Sequence, residues 1–203
     1  DERVVSAMIE HGRPELLVLL NFSRDQLDRH HEIKALGRAW RVALEAAGPT
    51  GPTIVANACD PLVTWSAGTA AKVIWVETDT VWHADGALCP ACGTLLVRVP
   101  AHGRDRWDCP GCELTQPPAD YQVLGSQIVL PSGKVVQPQL QVPGSFNISN
   151  AACALAACGG SDGDTAPLNT LPAGVLAPQT IHYDGTADDL LTAALRLRPD
   201  RIV

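Results

Sequence analysis

The chain has 203 residues, 46% of them hydrophobic and 18% charged, with a formal net charge of −7. That composition supplies a buried core and excludes a wholly disordered chain, while the acidic balance argues against a basic nucleic-acid-binding surface. The longest apolar run, Ala151 to Cys158, is far short of the roughly 20 residues of a membrane-spanning helix. With no basic n-region or apolar h-region at its start, the chain is expected to be cytoplasmic, with no transmembrane segment and no nucleic-acid partner.

In chain order, Leu16 to Leu20 is a short apolar run, the look of a central parallel strand covered on both faces. Ser23 and Gln26 have capping-box spacing, so a helix is expected from Arg24. Ile33, Leu36, Trp40, Ala43, Leu44 and Ala47 mark one helical face, which Gly48 ends. Thr53 to Asn57 and Lys72 to Glu77 are rich in β-branched residues and read as two more strands. Alternation at these spacings predicts an α/β fold with a doubly wound sheet, whose ligands bind beyond the carboxyl ends of its strands. Asn21 and Asn57 fall there, each with an aspartate (Asp25, Asp60) shortly after.

Residues 83–122 interrupt the pattern with Cys89-Pro90-Ala91-Cys92-Gly93 and, with 16 residues between Cys92 and Cys109, Cys109-Pro110-Gly111-Cys112. Two residues between cysteines let one tight turn present both sulfurs to a single metal ion, with backbone N–H groups aimed at the thiolates. Pro90 and Pro110 stiffen the turns, and Gly93 and Gly111 permit unusual dihedrals. A structural zinc ribbon on Cys89, Cys92, Cys109 and Cys112 is preferred to two disulfides or a redox dithiol, because nothing suggests export and a redox pair usually comes singly. With four protein ligands the metal keeps no open position for catalysis. Three arginines, no lysine and two aspartates between Cys89 and Cys112 do not make a phosphate-tracking surface. Cys59, Cys153 and Cys158 read as small buried hydrophobes.

Short strands are expected near Ser126 to Leu130 and Gln139 to Val142, followed by Gly144-Ser145-Phe146-Asn147-Ile148-Ser149-Asn150-Ala151-Ala152 leading into an Ala-rich helix. Taken alone, Asn147 and Asn150 suit capping of that helix. Residues 159–178 have the composition of a linker or a join. Beyond them come a strand (Gln179 to Tyr183), an amphipathic helix (Thr186 to Leu197) and the opening of another strand at Arg201-Ile202-Val203.

Three segments together resemble the Mur ligase family: Leu20-Asn21-Phe22-Ser23-Arg24-Asp25-Gln26-Leu27-Asp28, Asn57-Ala58-Cys59-Asp60-Pro61, and Gly144-x-x-Asn147-x-x-Asn150-Ala151-Ala152. Gln26, together with the ribbon, points to the branch that supplies the synthetase subunit of lipid II isoglutaminyl synthase. The resemblance covers residues 1 to about 158. It implies a central ATP-binding domain over 1–82 and 123–158, the ribbon inserted at 83–122, and a C-terminal α/β domain fragment at 179–203.

The resemblance further implies that ATP phosphorylates the α-carboxylate of D-isoglutamate in lipid II, and that ammonia from a GatD-like glutaminase partner displaces the phosphate. The expected cofactors are structural zinc, ATP and Mg2+. Asn147 and Asn150 would contact the nucleotide, Asn147 near the adenine. Asn21 and Gln26 would be further cofactor-binding residues, Gln26 replacing a histidine near the magnesium. The family's Gly-x-x-x-x-Gly-Lys-Thr phosphate loop does not occur in these residues, and Asp1-Glu2 resembles only the end of a Glu-x-Asp-Glu element. The chain is therefore expected to be an incomplete record of its parent, and no catalytic residue is assigned within it. The alternatives are an amino-acid ligase of folylpolyglutamate synthase type and a non-catalytic zinc-ribbon binding or scaffold module.

Overall fold

A computed structural model describes residues 4–22, 33–78, 87–101, 104–138 and 144–159. A short helix, α1 (Val5–Ala7), widens into a π-type turn (Met8–Gly12) and leads to strand β1 (Leu16–Leu19). Helix α2 (Ile33–Ala47), strand β2 (Thr53–Asn57), helix α3 (Pro61–Ala67) and strand β3 (Lys72–Glu77) follow. Strands β4 (Val97–Ala101) and β5 (Arg104–Asp108) form a separate antiparallel pair. The main sheet continues with β6 (Tyr121–Leu124), β7 (Gln127–Val129) and β8 (Val135–Val136), and helix α4 (Ser145–Ala157) closes the described chain.

The main sheet has the order β1-β2-β3-β6-β7-β8. Its first four strands are parallel: Leu17 pairs with Ile54, Ile54 with Val73, and Val76 with Tyr121. Strands β7 and β8 add an antiparallel edge. Side chains alternate between faces, as the two-residue period of a strand requires. Leu17, Leu19, Ile54 and Ala56 pack with Trp40, Ala43 and Leu44 of α2 and Val63 and Ala67 of α3. Val55, Val76, Val123 and Ile128 instead join Ala151, Ala152, Leu155 and Ala156 of α4. Full burial of side chains such as Ile54 and Leu44 contributes about 1.5–3 kcal/mol each.

Helices thus cover both faces, as in a doubly wound sheet, but β1, β2 and β3 succeed one another in sequence order with no reversal among the described residues. The expectation that β1 is central is corrected in one respect. It is covered on both faces, yet its sheet neighbour among the described residues is β2 alone. Tyr121 and Gln122, counted with the ribbon in the sequence, belong to the main sheet through their pairing with β3. The helix expected from Arg24, the strand near Gln139 to Val142 and everything after Gly159 lie outside the described residues.

Candidate functional site

The four ribbon cysteines converge. Their sulfurs all lie within 4.8 Å of one another. The close pairs run across the two knuckles, Cys89 Sγ to Cys112 Sγ at 3.6 Å and Cys92 Sγ to Cys109 Sγ at 3.4 Å. A tetrahedron with metal–sulfur bonds of about 2.3 Å has edges of about 3.8 Å, whereas a disulfide bond is about 2.05 Å long. The spacing therefore fits four thiolates around one metal ion and not two disulfides, and all seven cysteines are free of disulfide bonds.

The two knuckles repeat one construction. In the first, the Cys89 N–H donates to the Thr94 carbonyl (2.8 Å) and the Gly93 N–H to the Cys89 carbonyl (2.9 Å). In the second, the Cys109 N–H donates to the Leu114 carbonyl (3.1 Å). Isolated bridges, Leu88 with Leu95 and Asp108 with Thr115, close each turn. Backbone groups of Thr94, Gly111 and Leu114 bond Cys92, Cys109 and Cys112, as the knuckle geometry predicts. The Thr94 side chain and then its backbone pull the Cys92 thiol down to about 6, whereas burial pushes the Cys109 thiol up. At Cys112 the Leu114 backbone bond is outweighed by burial and the neighbouring thiols, which raise it to about 12.

The glycines differ in their reasons. Gly93 has φ +79°, the left-handed region expected of it. Gly111 does not have a positive φ. A Cβ there would lie 2.2 Å from Thr94 Oγ1, so Gly111 is needed for close approach of the two knuckles, which corrects the dihedral explanation.

The loop after β2 lies at the carboxyl end of the parallel strands. Asp60 caps α3, its Oδ1 accepting from the backbone N–H of Leu62 (2.8 Å) and Val63 (3.2 Å), with Pro61 in the first turn. Its Oδ2 accepts the Phe22 N–H at 3.0 Å and so joins this loop to the one after β1. Only 1% of Asp60 is exposed. Asn57 Oδ1 accepts from the Cys59 N–H (2.9 Å) and the Thr78 hydroxyl (3.1 Å). Asn57 and Asp60 thus hold the loop in shape. Asn21 is exposed beside Phe22 at the end of β1. Gln26, Asp25 and Asp28 lie outside the described residues.

The ribbon is bolted to this same edge. Trp107, on β5 two residues before Cys109, is buried, and its indole N–H donates to the Ala58 carbonyl at 3.0 Å. The buried Gln116 reaches Cys59 Sγ with its amide nitrogen at 3.8 Å. Arg104 pairs with Glu77 (3.3 Å) and bonds the Val123 carbonyl. Trp107 and Gln116 were not singled out by sequence reasoning. The one available hint was a tryptophan next to a knuckle in a chain of few aromatics.

On α4, Gly144 is the N-cap with φ +128°, and no side chain caps the helix. Asn147 and Asn150 therefore lie inside the helix and do not cap it. Three positions apart, they are neighbours along one side of it. Asn147 is 1% exposed and Asn150 is half-buried. Burial pushes the Cys59 thiol up to about 11 and the Cys153 thiol up to about 12. Cys153 is buried, as the small-hydrophobe reading expects, whereas Cys59 and Cys158 are only half-buried, a partial departure from it.

Among curated proteins the chain is 28% identical over 174 residues to the MurT subunit of a glutamine-hydrolysing lipid II isoglutaminyl synthase from Streptococcus pneumoniae. The chain resembles MurT. The likeness takes in 77% of this chain and 38% of that protein. Among solved structures, a pseudomurein peptide ligase type C from Methanothermus fervidus matches 75% of this chain and 32% of its own length, with a TM-score of 0.56 at 20% identity. That likeness is one of fold, a mixed α/β layer with a mostly parallel sheet. The chain thus spans well under half of either relative. No family model matches the chain. No helix among the described residues is long and apolar enough to cross a membrane.

Proposed function

We propose that the protein belongs to a ligase of peptidoglycan synthesis that acts as the synthetase subunit of a lipid II isoglutaminyl synthase. The reaction is ATP-dependent amidation of the D-isoglutamate α-carboxylate to D-isoglutamine through an acyl phosphate, with ammonia from a GatD-like glutaminase. A carboxylate does not react with ammonia at neutral pH, and ATP supplies the phosphoryl group that activates it. The observation that carries this reading is the four-cysteine cluster between β3 and β6 of a ligase-like sheet, in a chain whose sequence resembles MurT over most of its length.

In this reading residues 1–82 and 123–158 form the nucleotide-binding domain around the inserted ribbon of 83–122, with 159–178 a linker or join and 179–203 a C-terminal domain fragment. Asn147 and Asn150 bind the base, because an amide can both donate to and accept from its edge. Asn21 and Gln26, after β1, complete the nucleotide and Mg2+ side of the site. Cys89, Cys92, Cys109 and Cys112 hold zinc, whose filled tetrahedral shell keeps its role structural.

Co-expression of the full-length protein with a candidate glutaminase tests this directly, with lipid II amidation read by mass spectrometry. Amidation that needs both ATP and glutamine supports the reading. Transfer of an amino acid in place of ammonia, or no ATP consumption at all, overturns it. In the active complex Asn150→Ala is expected to raise the KM for ATP roughly tenfold, the loss of one or two hydrogen bonds. An unchanged KM removes Asn150 from the nucleotide site.

A further inference from the structure

The ribbon meets the sheet at the loop after β2, and we infer that it is a metal-dependent brace that sets this loop through Trp107 and Gln116. The connection is continuous. The second knuckle carries Cys109 and Cys112, and the bridge between Asp108 and Thr115 closes its base. Immediately outside that bridge, Trp107 and Gln116 face each other. The Gln116 N–H donates to the Trp107 carbonyl (3.1 Å), and the Trp107 N–H donates to Gln116 Oε1 (3.3 Å). Arg106 adds a bond to the Gln116 carbonyl.

From this platform the indole N–H reaches the Ala58 carbonyl at 3.0 Å, and the Gln116 amide reaches Cys59 Sγ. Ala58 and Cys59 stand between Asn57 and Asp60, the two side chains that hold the turn, and Asp60 carries the link on to Phe22 after β1. The Ala58 carbonyl also accepts from the Thr64 hydroxyl at a longer 3.4 Å, so loss of the indole donor leaves this buried acceptor with its weaker bond and loosens the turn around it. Ordering of the knuckle by metal is therefore passed to the loop after β2, and through Asp60 to Phe22, by a buried indole hydrogen bond. Apolar packing alone would hold the ribbon in place without fixing the loop, whereas this bond acts on one particular carbonyl.

The test is hydrogen–deuterium exchange of the full protein as purified, after zinc chelation, and as Trp107→Phe, with zinc per chain and the thermal midpoint measured in parallel. Phenylalanine keeps most of the ring and removes the donor. In Trp107→Phe, with zinc content unchanged, amides of residues 58–63 are expected to exchange about fivefold faster, the effect of one lost hydrogen bond. Chelation is expected to loosen the same amides together with the knuckles, while those of Ile54 and Val55 keep their protection. Gln116→Leu is a second variant and is expected to give a smaller increase at Cys59 and Asp60. Unchanged exchange at 58–63 in Trp107→Phe, or chelation that loosens the knuckles alone, overturns the inference. These readouts involve no nucleotide or lipid, so their failure is distinct from failure of the proposed amidation.

Discussion

The main sheet and the cysteine ribbon reach stability by opposite routes. In the sheet, Ile54, Val55, Ala56 and Val76 are wholly buried between helices on both faces. In the ribbon, Leu88, Leu95, Val97 and Val99 are exposed, and the buried side chains include Cys89, Cys109, Trp107 and Gln116. An insert of a few tens of residues cannot enclose an apolar core of its own, so its order must come from cross-linking sulfurs and from docking onto a larger body. The difference teaches that the same chain contains one region that folds by burial and another that carries a four-sulfur cluster of metal-site geometry where a core of its own would be.

The largest expected effect is metal removal, or Cys109→Ser. Structural zinc sites contribute on the order of 10 kcal/mol to folding, so the ribbon should lose its exchange protection while the sheet keeps its cooperative melt. Zinc content and a urea transition followed by circular dichroism check this, and collapse of the sheet together with the ribbon would erase the contrast. In the metal-free protein at pH 7, the four ribbon cysteines, released from their knuckles, should be alkylated before Cys153, which stays buried against the sheet with its thiol pushed up to about 12.

Ile54→Ala acts on the other region. It should cost about 2–5 kcal/mol by urea unfolding while leaving zinc per chain unchanged. Asp60→Ala sharpens the comparison at the junction of the two. Loss of the α3 cap and of the Phe22 tie should cost about 2 kcal/mol in thermal or urea melts, and Asp60→Asn, which keeps an acceptor, should cost less. The smallest effect is expected at Leu95→Ser on the exposed ribbon face, within about 0.5 kcal/mol. A larger loss there would mean that the ribbon depends on apolar contacts after all.

The α2 stripe from Ile33 to Ala47, the strands Thr53–Asn57 and Lys72–Glu77, and the four-cysteine cluster were legible because each rests on short-range spacing. The return of the chain to the main sheet at Tyr121 and the role of Gly111 were not legible. Each depends on a neighbour distant in sequence, as when Thr94 packs onto Gly111. Asn57 and Asp60 show the same limit. Their place at strand ends was readable, but their bonds to Thr78 and Phe22 cross about 20 and 40 residues, respectively.

The sequence by itself determined the parallel α/β layer, the four-cysteine cluster and the resemblance to Mur ligases, because hydrophobic period and cysteine spacing are local properties of a chain. Only the tertiary structure decided that the ribbon rests on the loop after β2 through Trp107, and that Asp60 ties two loops together. A buried hydrogen bond between distant segments has no period and no spacing. It exists only once packing has brought a donor and an acceptor to the same dry place.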